Sequence, residues 1–160
     1  MAARIGREIR STTLPMASLT LRFAPRLAFG VFLLSVSCGR FTQTRQCRAL
    51  IARVNPALDE IARLTHDKTD KATYLAAAAR YEQLSIELGP LQFSNQQMAK
   101  DVAEYAGILH STGIVLKSLA LAVDGHNASE IERISRELER LDGREHVSIT
   151  KMDTWCQPGA

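Results

Sequence analysis

Apolar residues recur every three or four positions along most of the chain after residue 45, and this spacing constrains the fold more than any other feature. It places apolar side chains on one face of an α-helix, whereas a half-buried strand needs alternation at every second position. Four such stretches follow one another, separated by short breaks that contain glycine or polar residues. The sequence therefore predicts an all-α domain of four amphipathic helices.

The first two helical segments differ in how sharply they are delimited. The first covers about residues 45–65 and contains Pro56, which removes a backbone donor at a cost of about 3 kcal/mol. We therefore expect a kink near Val54 or two short helices in line. The second follows the polar residues 67–70 and ends at Gly89-Pro90. The predicted buried positions are Cys47, Leu50, Ile51, Val54, Leu58, Ile61, Leu64 or Thr65, Tyr74, Leu75, Ala78, Tyr81, Leu84 and Leu88.

The third and fourth segments are longer and carry capping signals. Ser94 opens a Ser-x-x-Gln capping box, and the third helix runs to Val123 along a heptad-like seam. In the following turn, Gly125 can adopt the left-handed conformation and Asn127 caps the fourth helix. The fourth helix stops at Asp142-Gly143, so that residues 143–160 form a tail. The predicted buried positions are Met98, Val102, Tyr105, Leu109, Thr112, Leu116, Leu119, Val123, Ile131, Ile134, Leu138 and Leu141.

These segments together predict an antiparallel up-down four-helix bundle over residues 45–160, with a kinked first helix and a C-terminal tail. An even number of antiparallel helices returns the chain to its starting end, so Cys47 and Cys156 fall at the same pole. A disulfide between them is predicted, and two unpaired thiols are the alternative. No CxxC motif or paired Cys-His spacing occurs, so a thioredoxin-like, haem c or zinc-finger site lacks its first requirement.

Residues 1–37 have the parts of a secretory signal peptide. Arg22 and Arg26 precede an apolar stretch, residues 27–37, which small residues close. This stretch is shorter than the roughly 20 residues that span a bilayer, so a signal sequence is favoured over a transmembrane helix. Met16 begins a leader of more ordinary length and is a possible true start.

The end of this leader, Leu34-Ser35-Val36-Ser37-Cys38, resembles a bacterial lipobox, with the leucine one position farther from the cysteine than usual. The resemblance implies a diacylglycerol thioether on Cys38 and a tether over residues 38–44. Ordinary cleavage after Ser37 and a retained anchoring or cytosolic segment are the alternatives. Lipidation leaves Cys47 and Cys156 as an even pair for an oxidising compartment, which favours it.

Charge and motifs exclude several classes of function. The formal net charge of +3 comes from five arginines and one glutamate in the leader, so residues 38–160 are slightly acidic and no nucleic-acid partner is expected. No phosphate-binding loop, nucleophile elbow or kinase signature is present. The four histidines lack the spacing of metal ligands, and His66 and His126 are interpreted as exposed loop residues. We predict no catalytic residues, no metal and no cofactor.

As a whole, the chain resembles bacterial exported helical proteins with a lipoprotein-type signal, and this implies no activity beyond lipid attachment at Cys38. The sequence predicts a non-enzymatic cell-envelope protein, lipid-anchored or secreted, that acts as an interaction or structural module. Its location would be the periplasm or the outer membrane, and its partners the membrane and an unidentified envelope protein. The alternative is a periplasmic bundle that binds a small molecule or a metal in its core.

Overall fold

Four α-helices account for nearly all of the chain that can be described. The computed structural model describes residues 34–66 and 69–157, with side chains from residue 42 onward. The helices are α1 (Leu34–Thr65), α2 (Lys71–Leu88), α3 (Gln96–Asp124) and α4 (Ala128–Cys156). Within these ranges no strand occurs, and the predicted all-α class is confirmed.

Consecutive helices pack against each other in antiparallel order. The α2–α3 and α3–α4 contacts are extensive, α1 packs on α2, and α1 touches α4 over a much smaller area. Two contacts give the direction of α1 against α2: the Arg53 guanidinium donates to the backbone carbonyl of Glu87 at 2.7 Å, and farther along α1 the Glu60 carboxylate lies 2.7 Å from Arg80 Nε. The predicted up-down four-helix bundle is confirmed.

Side-chain caps begin α2 and α4 where the sequence places them. The Asp70 carboxylate accepts the backbone N–H of Thr73 at 2.8 Å, and the Asn127 side chain accepts that of Glu130 at 3.1 Å. Each cap satisfies one of the backbone donors that a helix leaves unpaired at its N-terminus. These short polar residues therefore set where the two helices start.

Two local predictions were wrong by one residue. The cap of α3 is Asn95, which accepts the Met98 N–H at 3.0 Å, whereas the Ser94 hydroxyl donates to Gln46 of α1. In the turn after α3, Gly125 has an ordinary φ of −80°, and the positive φ, 50°, belongs to His126. Histidine is among the non-glycine residues that tolerate this conformation, so the turn closes without a left-handed glycine.

The first helix is longer and more continuous than the sequence predicts. It begins at Leu34 and continues through Pro56, so the predicted alternative of two short helices in line is wrong. Residues 38–44, which were predicted to form a tether, belong to α1. Apolar side chains on both sides of the proline are buried: Leu50 and Val54 before it, Ala57 and Leu58 after it. Because tertiary packing of one face holds most protein helices, these contacts offset the lost hydrogen bond.

The predicted C-terminal tail is also wrong, because α4 passes through Gly143 and ends only at Cys156. A glycine inside a helix costs about 1 kcal/mol relative to alanine. Beyond it, Ile149 and Met152 are buried in the core, and full burial of such a side chain is worth about 1.5–3 kcal/mol. Packing therefore outweighs the preference of glycine for a helix end.

The central helix of the bundle is α3, which contacts both α2 and α4 and has twelve buried residues. Its length and composition would also allow it to cross a bilayer, but 44% of its most apolar window is already buried inside the protein. Almost every predicted core position is buried or half-buried; Leu75, which is 39% exposed, is the clear exception among the large apolar residues. The core therefore accounts for only part of the hydrophobicity of α3, because Ile114 and Leu121 are exposed.

Candidate functional site

A tyrosine and a glutamate meet inside the bundle, between α3 and α4. Tyr105 is completely buried, and its hydroxyl donates a hydrogen bond to Glu145 Oε1 at 3.3 Å. Tyr81 of α2 is half-buried and close enough for Glu145 to act on it electrostatically. Three helices thus contribute polar groups to one partly buried cluster, Tyr81, Tyr105 and Glu145, which we call the tyrosine–glutamate cluster.

Burial controls the ionisation of this cluster. Loss of water raises the pKa of Glu145 above its ordinary value, the nearby Asp142 carboxylate raises it further, and the hydrogen bond from Tyr105 opposes the shift. Burial and the charge of Glu145 also raise the pKa of both tyrosines. Both hydroxyls therefore stay protonated at neutral pH, and Glu145 is the member of the cluster that ionises first.

The geometry of the cluster limits its chemistry. Tyr105 has no solvent-exposed surface, so its hydroxyl cannot touch a substrate in this conformation. The carboxyl of Glu145 accepts the hydroxyl hydrogen and links α4 to α3 in the interior. Glu145 is half-buried, and a carboxyl that has lost part of its water is costly without such a donor, so this contact joins the two helices and is sensitive to protonation.

The predicted cysteine pair is brought together at one pole of the bundle. Cys47 in α1 and Cys156 at the end of α4 form a disulfide, with their Cα atoms 5.7 Å apart. Beside it, Gln43 Nε2 donates to the backbone carbonyl of Trp155 at 2.6 Å. The Trp155 ring packs in a T-shaped arrangement with Phe93 of the α2–α3 connection, with 6.3 Å between ring centroids. This disulfide pole therefore joins α1, α4 and a connecting segment.

The predicted lipid attachment residue, Cys38, precedes Cys47 by nine positions in the sequence. The backbone of Cys38 belongs to α1, but its side chain and residues 1–33 of the leader lie outside the described part of the chain. Cleavage and lipidation thus stay predictions.

The histidines do not assemble into a site. His66 follows α1 and His126 lies between α3 and α4, at the pole where Lys71 Nζ and the Asp124 carboxylate form an ion pair of 2.7 Å. His110 and His146 are exposed on α3 and α4. Among the described residues, no group of three or more His, Cys, Asp or Glu side chains could hold a metal ion.

Sequence reasoning identified the two tyrosines as buried but missed Glu145. It assigned Glu145 to a tail because Gly143 was interpreted as a helix stop. One signal could have revealed it: Leu141, Glu145 and Ile149 are spaced four apart, so the glutamate stands in an apolar stripe that continues to Met152.

Compared with known proteins, the chain matches no family model, no curated protein sequence and no solved structure. Four-helix bundles serve many unrelated functions, so the fold alone assigns none. The disulfide pole, the tyrosine–glutamate cluster and the outer surfaces are the features from which a function can be inferred.

Proposed function

We propose that this chain is an exported, non-enzymatic helical bundle that is anchored to a bacterial membrane by a lipid on Cys38 and acts there as an interaction module. The observation that carries the proposal is the proximity of Cys47 and Cys156, whose Cα atoms lie 5.7 Å apart in a disulfide. Disulfides persist in oxidising compartments such as the bacterial periplasm and are rare in the cytosol.

The position of the disulfide also supports an oxidising environment. The α1–α4 contact is the weakest of the helix pairs that touch, and the disulfide lies in it. It links residues 109 positions apart, and closing a loop of this length contributes about 4–5 kcal/mol on the chain-entropy model. A covalent bond thus supplies stability where packing between helices is least, which a cytosolic chain could not rely on.

The helix geometry gives this anchor a definite orientation. Cys38 precedes Cys47 by nine residues of α1, which is about 14 Å along a helix axis. A lipid on Cys38 would hold the disulfide pole toward the bilayer. The opposite pole, which carries the α1–α2 and α3–α4 connections, would then point away from the membrane.

Binding of a small molecule or metal in the core is the second candidate, and the tyrosine–glutamate cluster is the observation that favours it. Such a site needs several polar groups that converge on a space for the ligand. Here Tyr105 and Glu145 already satisfy each other across α3 and α4. The anchor therefore remains the better supported proposal.

The decisive experiment is intact mass spectrometry of the protein recovered from the membranes of the cells that make it, before and after reduction with alkylation. We expect the mass of residues 38–160 plus a diacylglycerol-based group, with two cysteines that become alkylated only after reduction. A chain that retains its leader and carries three free thiols would overturn both export and anchoring.

Matched variants separate the anchor from the disulfide. Cys38→Ser should shift the protein out of the detergent-extracted membrane fraction while its disulfide still forms. Cys156→Ser should abolish the disulfide and leave the lipid in place. If Cys38→Ser stays in the membrane fraction with unchanged processing, Cys38 is not the anchor.

A further inference from the structure

Large apolar side chains are exposed on one side of the bundle. Among the residues whose side chains the structure describes, five are of this kind: Leu75, Ile86, Ile114 and Leu121 on α2 and α3, and Val147 on α4. Ile86 and Leu121 are the most exposed, at 75% and 64%. A cluster of this kind differs from single apolar residues scattered over a surface, because it concentrates on two adjacent helices.

A stripe without charged side chains runs along the outer surface of α3 from Gly107 to Leu121. Gly107, Ser111, Ile114, Ser118 and Leu121 follow each other in steps of four and three residues and are exposed or half-buried. This is the spacing of a helix seam that packs on another helix. A side chain at position 107 would meet nothing within 4 Å, so the monomer itself does not require a glycine there.

The outer surface of α4 has the opposite character. It carries three ion pairs within the helix: Glu130–Arg133, Glu132–Arg136 and Glu137–Arg140. Charged side chains of this kind are well solvated, so this surface does not need to be buried against another molecule. The bundle therefore has one charged side and one apolar side, which we call the α2–α3 face and define by Leu75, Ile86, Gly107, Ile114, Ser118 and Leu121.

Two opposite charges interrupt the α2–α3 face. Lys117 Nζ on α3 lies 2.7 Å from the carboxylate of Glu82 on α2, and the lysine side chain is half-exposed, at 48%. Along α2, Glu82 lies between Leu75 and Ile86. Along α3, Lys117 lies between Ile114 and Leu121. The face thus contains one acid and one base side by side, with apolar residues above and below.

We propose that the α2–α3 face binds a second copy of this chain across a two-fold axis. A two-fold contact sets the same surface against itself, so an axis beside the ion pair brings Glu82 of each copy against Lys117 of the other. The face is then complementary to itself in charge, while its apolar residues cover each other. The acid and the base of this face balance each other, so the face offers no net positive charge to an anionic lipid surface, which disfavours a membrane as the occupant.

This inference goes beyond the proposed membrane anchor and does not depend on it. Its test uses the full chain in the cells that produce it, with a photo-reactive benzoylphenylalanine in place of Ile114. Irradiation should give a product of twice the chain mass that contains two copies by mass spectrometry. The matched control carries the same group in place of Arg136 on the charged side, and should give no such product.

Charge reversal then tests the two-fold arrangement. Lys117→Glu places acids from both copies together, so the cross-linked dimer should be lost. Helix content by circular dichroism should stay unchanged, because an ion pair at the surface contributes little to folding. Adding Glu82→Lys restores the opposite charges and should restore the product. A product with a different protein, no product at Ile114, or a dimer indifferent to both reversals would each overturn the proposal.

Discussion

At the scale of single residues, Glu145 is the group whose environment departs most from that of an ordinary surface carboxylate. It lies on the inner side of α4, takes the hydrogen of the Tyr105 hydroxyl at 3.3 Å, and has the Asp142 carboxylate nearby. Burial raises its pKa above the ordinary value. The folded chain therefore holds this proton more tightly than the unfolded chain does.

That difference predicts a pH dependence of stability. Because the folded pKa of Glu145 exceeds the unfolded value of about 4.5, the free energy of unfolding falls as pH rises from there through the folded pKa. Glu145→Gln removes this contribution and keeps an acceptor for Tyr105. We expect the melting temperature of the variant, relative to the wild type, to rise between pH 4 and pH 8 when followed by circular dichroism.

The control for this prediction is Glu139→Gln, a neutralisation on the exposed side of the same helix. Its melting temperature relative to the wild type should vary much less with pH. Equal pH profiles for the Glu145→Gln variant and the wild type would show that the carboxyl is not perturbed in the folded chain.

At the scale of the helices, glycines show where local preference and packing disagree. An alanine Cβ at position 143 would meet nothing within 4 Å, whereas at position 113 it would lie 2.7 Å from Glu82 Cγ and 3.0 Å from the Ala78 carbonyl oxygen. Gly113 thus permits the close approach of α3 to α2. Gly143 has no such role and only weakens α4.

These two glycines therefore predict effects of opposite sign. Gly143→Ala should raise the free energy of unfolding by about 0.5–1 kcal/mol, the difference in helix propensity. Gly113→Ala should lower it by about 1–3 kcal/mol, since the Ala78 backbone cannot move as freely as a side chain. Urea denaturation of both variants measures the effects, and a stabilised Gly113→Ala would show that α2 and α3 are not in such close contact.

The contrast between local helix preference and tertiary packing also explains what the sequence could and could not predict. Apolar spacing identified four helices, their order and most of the core, because burial follows the helical period directly. It failed where packing overrides local preference, at Pro56 in α1 and Gly143 in α4. The tyrosine–glutamate cluster was missed for the same reason, since Glu145 joins it only if α4 continues. The cysteine pair was predictable because chain topology alone places both residues at one pole.

At the scale of the whole molecule, the contact between α1 and α4 depends more on the disulfide than on side-chain packing. Helices α2, α3 and α4 pack extensively in sequence order, while α1 meets α4 mainly around the disulfide pole. The Gln43–Trp155 hydrogen bond and the Phe93–Trp155 contact lie at the same pole. Stability should therefore depend strongly on the redox state of Cys47 and Cys156.

We predict that Cys47→Ser with Cys156→Ser lowers the free energy of unfolding by about 2–5 kcal/mol. The comparison is with a chain that retains both cysteines, and both chains carry Cys38→Ser so that no third thiol can exchange. Urea denaturation with and without reductant measures the loss, and reductant should destabilise only the chain with the cysteine pair. Equal midpoints would mean that the disulfide does not form in solution.

The disulfide also determines how the molecule responds to mechanical force. The disulfide joins Cys47, in the first half of α1, to Cys156, the last residue of α4. A pull between an anchor on the N-terminal side and an object held by the C-terminus therefore runs through that bond and bypasses α2, α3 and most of α1 and α4. While the bond is intact, tension between the two cysteines cannot separate the helices within the closed loop of residues 47–156, whereas in the reduced chain the same pull would draw α1 and α4 apart.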